Sequence, residues 1–339
     1  MLALGTILCL LTGLQAQQGL SPMDTLPEYI RPLTSFGERA DWSRDGKRIL
    51  FLEKTFGDVY EVEVSSGRLN PLTHHFFHEG FVRALYLANG DILLSGAPTF
   101  DARDPWKSRD ARNAELWVLK KDKSGPPIPL GVHCKEGPAV SRTTMSIAWT
   151  LGNTITTAKI AYREGKPTLT EIKPLFTASD MPSPVTGWNL ETQNFRPLRE
   201  EELIFNAFGG PGDIAAEVMS YNVKTKSFKN YTNQKALYDE PEGTFPNGSR
   251  ILVESNRHRP SYKGLDGFLT LDIYMMDLDG MGVMERITYF NENPEFKASN
   301  PVVSDDGKFI AFQYAKTQDP AGMGRGILIL DFEAWQTQR

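Results

Sequence analysis

One local pattern returns six times along this chain, and that repetition confines it to an architecture built by arraying copies of a single unit. The full copies are ADWSRDGKRILFLEK from Ala40, EGTFPNGSRILVESN from Glu242 and NPVVSDDGKFIAFQYA from Asn300. Each is a short strand, a tight Asp-Gly or Asn-Gly turn and a hydrophobic strand. Weaker copies are ALYLANGDILLSGA from Ala84, PAVSRTTMSIAWT from Pro138 and NFRPLREEELIFNAF from Asn194. Taking Gly46, Gly90, Thr144, Glu200, Gly248 and Gly307 as equivalent turn positions, the spacings are 44, 54, 56, 48 and 59 residues. Periods of that size are those of propeller blades.

Within a unit the pattern predicts four antiparallel strands, rich in the apolar, β-branched and aromatic residues that strands favour. In the first unit ADWS is strand A, ILFLE strand B, VYEVEV strand C and LNPLT strand D. Similar D strands follow at Ile128, Lys173, Asn230 and Arg286, but the last unit runs from GILILDF into EAWQTQR with none. The absent strand is at the other terminus, where YIRPLTSF (29–36) carries the D signature without strands A to C before it. The expected fold is therefore all-β: a six-bladed β-propeller of four-stranded antiparallel blades, closed by the N-terminal strand completing the last blade. Closure removes sheet edges that would otherwise pair with other chains. The expected organisation is a signal peptide over 1–19, a linker over 20–28 and a single propeller domain over 29–339.

The W-S-x-D-G turn, the I-x-F strand after it, the D-I-Y-M-M-D-L-D-G run from Asp272 and the closing P-L-T resemble TolB-type, WD-repeat-like propeller blades. The likeness covers residues 29 to 332 and is weakest where the turns read RTTM and REEE. It implies a six-bladed ring with strand-swapped closure. It implies no reaction, because propellers of this kind serve as periplasmic scaffolds, sugar-acid lyases and accessory domains of peptidases.

Hydrophobic residues make up 40% of the chain, enough for a core, and a net charge of -5 without a basic stripe argues against a nucleic-acid partner. The first stretch, apolar from Leu2 to Leu14 and polar after Ala16, is too short to span a bilayer and fits a leader with its cleavage site. The expected location is periplasmic or secreted, with no transmembrane segment in the mature chain. Cys9 would leave with the leader, so Cys134 would stand alone.

The A-B and C-D connections share one face of a propeller and are tight here. The B-C and D-A connections share the other face and are long and polar, which marks that face as functional. All five histidines fall there: His74, His75, His78 and His133 in D-A connections and His258 in a B-C connection. His75, His78 and His133 are the candidate ligands of a divalent metal; the alternative is hydrogen-bonded or solvent-facing imidazoles. A carboxylate precedes strand A at Glu38, Glu79, Glu136 and Glu242, with Glu191 and Glu295 as looser matches, and Arg39, Arg83, Arg196 and Lys297 lie near enough in sequence to neutralise them. These acids either crowd the channel mouth, which would raise their pKa values, or form a salt-bridge ladder between blades.

The B-C connection of unit two holds Trp106 and Arg109 among mixed charges, and that of unit five holds Arg257, His258, Arg259 and Tyr262; both suit sugar stacking or carboxylate capture. The alternative is a lid closed by its own ion pairs. No nucleophile elbow, Walker loop or dinucleotide fingerprint occurs in the sequence. Two functions remain. One is an exported scaffold that recognises a glycan or an envelope protein, with Arg83, Trp106, Arg109, Glu136, Glu242, Arg259, Tyr262 and Lys297 as binding residues. The other is a uronate-polysaccharide lyase or hydrolase, metal-assisted or not, with His75, His78, Glu79, Arg257 and His258 as catalytic residues.

Overall fold

The A-B turns are built by side chains as much as by backbone. In the first unit Ser43 Oγ donates to Asp45 (2.7 Å) and accepts from the amide of Arg48 (2.9 Å), while Gly46 takes the left-handed conformation at φ +66°. The last unit repeats this at Ser304, Asp306 and Phe309, with Gly307 at +73°. Each turn then feeds a strand whose side chains are almost wholly buried, Ile49–Leu52 in one case and Ile310–Phe312 in the other.

A computed structural model describes residues 20–339, except 100, 105–106, 109–111, 211–214, 235, 263, 281 and 320–321. Six four-stranded antiparallel sheets stand in sequence order, a six-bladed β-propeller. Strands A to D are Glu38–Trp42, Arg48–Leu52, Val59–Glu63 and Leu69–Pro71 in blade 1. They are Phe81–Tyr86, Ile92–Gly96, Ala114–Leu119 and Ile128–Cys134 in blade 2. Blade 3 has a two-residue strand A, Ala139–Val140, then Ser146–Leu151 and an extended hairpin of Thr154–Arg163 with Lys166–Thr177. Blade 4 comprises Asn189–Phe195, Glu202–Gly209, Ala215–Asn222 and Ser227–Asn230, and blade 5 Asp239–Thr244, Arg250–Ser255, Asp272–Asp277 and Met284–Arg286.

Blade 6 takes Phe296–Val303, Phe309–Lys316 and Ile327–Asp331 from the C-terminal end and its strand D, Ile30–Pro32, from the N-terminal end. The register pairs Ile30 with Leu330 and Pro32 with Leu328. Ile30 is buried in one cluster with Leu328, Leu330, Phe245 of blade 5 and Phe332 and Trp335 of a short terminal helix, Phe332–Thr337. Burying that isoleucine contributes about 2 kcal/mol to keeping the ring shut.

A threonine just beyond strand D latches each of four blades. Its hydroxyl accepts from a strand C amide: Val59 to Thr73 (3.0 Å), Val218 to Thr232 (3.1 Å), Ile273 to Thr288 (2.8 Å) and, across the closure, Ile327 to Thr34 (2.9 Å). In three of them the same hydroxyl donates to the carboxylate of the residue just before that amide: Asp58, Glu217 and Asp272. The terminal strand thus uses the same chemistry as strands joined to their own blades.

The sequence did not show the terminal helix, or a second one at Gly264–Leu269 in the B-C connection of blade 5. Residues 22–24, within the expected linker, form a capped 3-10 turn, and Met23 and Leu26 pack against the closure cluster. No helix among the described residues is long and apolar enough to cross a membrane.

Candidate functional site

Strand A is innermost in each blade, and in five blades it is bulged: between Glu38 and Asp41, Phe81 and Arg83, Thr192 and Asn194, Pro241 and Thr244, and Ser299 and Val302. A bulge breaks the alternation of a strand and re-aims side chains. Arg39 and Asn300 occupy matching bulges with φ of +55° and +48°. Their amides donate to side chains on strand B of the neighbouring blade, Arg39 to Gln313 (2.6 Å) and Asn300 to Glu254 (2.5 Å).

The bulged strands and the connections above them enclose an axial cavity of about 790 Å³ on the D-A and B-C side. At the other end of the axis Arg142, on the A-B turn of blade 3, reaches Asp305 of blade 6 (2.7 Å) and Asp41 (3.3 Å) and the Trp42 carbonyl (2.9 Å) of blade 1. That guanidinium ties opposite sides of the ring together.

Charge in the cavity divides into two parts. In the first, Glu136 accepts from Arg39 and Arg112, and Glu38 accepts from Thr55 (2.7 Å) beside Arg39 (3.8 Å). In the second, register places Glu240 directly opposite Glu254, and like charges so placed repel. Glu242 follows two residues along the same strand, and the Asn300 amide side chain donates to both Glu242 (3.0 Å) and Glu254 (3.2 Å). Burial, with the neighbouring acids adding to it, pushes Glu242 up to about 8 and Glu254 up to about 7. Glu240 is held well above the ordinary range by burial and then by Glu242 and Glu191, and Glu191 is raised by burial and by Glu136. Arg83 opposes these shifts in all four acids. Neither the Arg83 guanidinium nor the Glu191 carboxyl makes a hydrogen bond or close ion pair among the described residues. Phe208, Tyr238 and Phe268 form an aromatic wall, with the Lys297 ammonium 5.2 Å from the Phe268 ring centre.

Several expected residues meet here. Arg83, Glu136 and Lys297 line the cavity together with Glu38, Glu191 and Arg39, and Glu242 lies buried next to Glu254. The histidines do not line it. His78 donates from Nε2 to Asp58 (3.0 Å) and accepts at Nδ1 from the Gly80 amide (2.9 Å), holding its own loop. His75 is exposed and packs on Phe76, and His133 lies 3.7 Å from Glu115. Among the described residues no three His, Cys, Asp or Glu side chains form a metal-holding group, so His75, His78 and His133 are not brought together. Glu79 is half-buried outside the cavity lining.

Arg257 makes a bidentate pair with buried Asp239 (2.9 and 2.6 Å), and Arg259 donates to the side chain and carbonyl of Asn291 (2.7 and 2.6 Å). His258 donates to the same Asn291 (3.0 Å) and accepts from Tyr274 (3.2 Å); burial lowers its pKa to about 4. Arg257 therefore ties the B-C loop of blade 5 to strand A of its own blade, while His258 and Arg259 bind it to the connection that leads into blade 6. Tyr262 is partly exposed, with the Arg259 guanidinium 5.7 Å from its ring. Trp106 and Arg109 lie outside the described residues. Cys134 is fully buried with its thiol pKa pushed up by burial, which suits a small packing residue. Arg196, expected near the axial acids, instead pairs with Glu202 (2.8 Å) and Asp279 (2.5 Å) at the opposite face, because it ends strand A rather than beginning it.

Glu240, Glu254, Tyr238, Asn300 and Gln313 were missed from sequence. The signal was present in Asp-Glu-Pro-Glu (239–242), where residues two apart in a strand share a face. An acid in the otherwise apolar run Ile-Leu-Val-Glu (251–254) was the second clue.

Solved structures with this fold include the tricorn protease, at TM-score 0.55 and 13% identity over 90% of this chain, which spans only 26% of that protein. An oligogalacturonate lyase in complex with manganese matches at TM-score 0.51 and 11% identity, covering 90% of this chain and 80% of the lyase. The WD40 repeats of RRP9 match at 0.51 and 10%, covering 89% and 97%. TolB structures are also among the matches. The shared property is the propeller fold. No family model and no curated protein matches the sequence.

Proposed function

We propose that this protein is an exported recognition scaffold, periplasmic or secreted, that takes its ligand into the axial cavity on the D-A and B-C face. The observation that carries this is Arg83, a guanidinium that lines an axial cavity of about 790 Å³ and makes no hydrogen bond among the described residues. Cavities of roughly 300–1,000 Å³ with a few convergent polar groups suit small ligands. Phe77 stands 91% exposed on a D-A loop of the same face, the kind of aromatic anchor a glycan or protein partner would cover.

A second reading, a uronate-directed lyase or hydrolase, draws on Glu242 and Glu254, whose carboxyls titrate near neutrality beside Arg83. Such groups are suited to general acid and base work. In that case the proton carriers are these carboxyls and not the rim histidines.

The test is a thermal-shift screen of glycans, uronates, amines and peptides against the wild type and Arg83→Met. A ligand at a hundredfold excess over its Kd stabilises by about 2.7 kcal/mol, a shift of several degrees in Tm. The scaffold reading expects such a ligand, its shift changed in Arg83→Met (lost for an anionic ligand, enlarged for a cationic one), and no turnover of it. Turnover that Glu254→Gln abolishes would favour the enzyme, and ligand shifts indifferent to Arg83→Met would refute the axial site.

A further inference from the structure

The acids of the cavity outnumber the cations that face them. Arg39 and Arg112 are both engaged by Glu136, and Lys135 reaches the Leu190 carbonyl (3.4 Å). Arg83 opposes all of Glu191, Glu240, Glu242 and Glu254, Lys297 adds to it at Glu254, and Arg39, Arg112 and Lys135 reach Glu191 from their own partners. A carboxyl in such a group must either keep its proton or gain a positive neighbour. Two further observations point to a missing donor. Glu38, 1% exposed and part of the cavity lining, keeps its Oε2 atom without any hydrogen-bond donor. The Glu191 carboxyl is likewise unpartnered among the described residues. Beside the acids, the wall of Phe208, Tyr238 and Phe268 offers apolar surface and ring faces of the kind that accept an alkyl-ammonium.

We propose that the cavity binds a cationic amine, its ammonium placed among Glu191, Glu240 and Glu254 and its alkyl stem against the Tyr238–Phe268 wall. This rests on the reading of the cavity as the ligand site. An anion entering the same space would have Arg83 to bind but would meet the four acids around it. The amine gives the Glu191 carboxyl a donor and lets the acids ionise, so protons leave as it binds. The groups facing those acids are Arg39, Arg83, Arg112, Lys135, Glu136 and Lys297.

Isothermal titration of the purified chain with cadaverine, and separately with galacturonate, tests this. The expected result is cadaverine binding that tightens by about tenfold between about pH 6 and pH 8.5, with proton release seen as buffer-dependent heat. Glu254→Gln and Glu240→Gln should each weaken it at least about tenfold, and Glu164→Gln, on the exposed hairpin turn of blade 3, should leave it unchanged. Circular dichroism and the melting transition establish that each variant is folded, and the glutamines keep the size and acceptor of the acids they replace. Galacturonate binding without cadaverine binding, or cadaverine binding that strengthens toward acid, would overturn the amine while leaving the cavity a ligand site. So would silence from both probes alongside any ligand whose binding needs Arg83. If every ligand found binds equally to Arg83→Met, the cavity reading itself fails, and the amine with it.

Discussion

Replacing Glu242 by glutamine should make the protein more stable in alkali and leave it unchanged in acid. Glu242 is 8% exposed, and its carboxyl is held at about 8 instead of 4.5, first by burial and then by Glu254. Between those two values the folded chain binds a proton that the unfolded chain releases, so stability falls as pH rises through the interval. At about 1.4 kcal/mol for each pH unit the ceiling is about 5 kcal/mol, complete above the folded value. Part of this returns when Glu254 or Glu240 keeps a shared proton, which makes about 2–5 kcal/mol the expected gain. Glutamine removes the titration and retains an oxygen for the Asn300 amide, now 3.0 Å from the Glu242 carboxylate. The assay is urea denaturation of wild type and Glu242→Gln at about pH 5 and pH 9, with pH-independent background cancelling in the difference. A stability difference that is the same at both pH values would refute the claim that these acids are crowded and short of positive charge.

Two further predictions concern the framework. His258, depressed from 6.5 to about 4 by burial, stabilises the fold fully above 6.5 and loses that contribution as pH falls through 4. His258→Gln should therefore reduce the loss of stability over that range by about 3 kcal/mol in acid denaturation curves, and unchanged curves would count against it. Thr34→Val removes the acceptor of the Ile327 amide and should cost about 1–2 kcal/mol in a urea melt, similar to Thr73→Val in blade 1. A silent Thr34→Val would mean the terminal strand is only loosely held.

The fold was legible because its information is local. Asp-Gly and Asn-Gly turns, alternating strands and the Pro-Leu-Thr ending each act within a few residues, and the isolated copy at Tyr29–Phe36 gave the closure. Which connections share a face was legible too, since that follows strand order. The site was legible only where it repeats that order. Glu38, Glu136 and Arg83 sit near the start of strand A and were found, whereas Glu254 sits across a ladder from Glu240, a relation fixed by register. Arg196 misled for a related reason: a strand of seven residues carries its two ends to opposite faces of the ring. Imidazoles gathered on one side of a sequence diagram can each be satisfied by a separate neighbour, as His78 is by Asp58 and His258 by Asn291, and sequence does not show which.

Arg142, held between Asp305 and Asp41, has a consequence for traffic. A ring suggests a tunnel, and here one guanidinium spans it at the far end. A polymer taken up under the proposed reading would meet that bridge, and is expected to offer the cavity an end or a projecting side group.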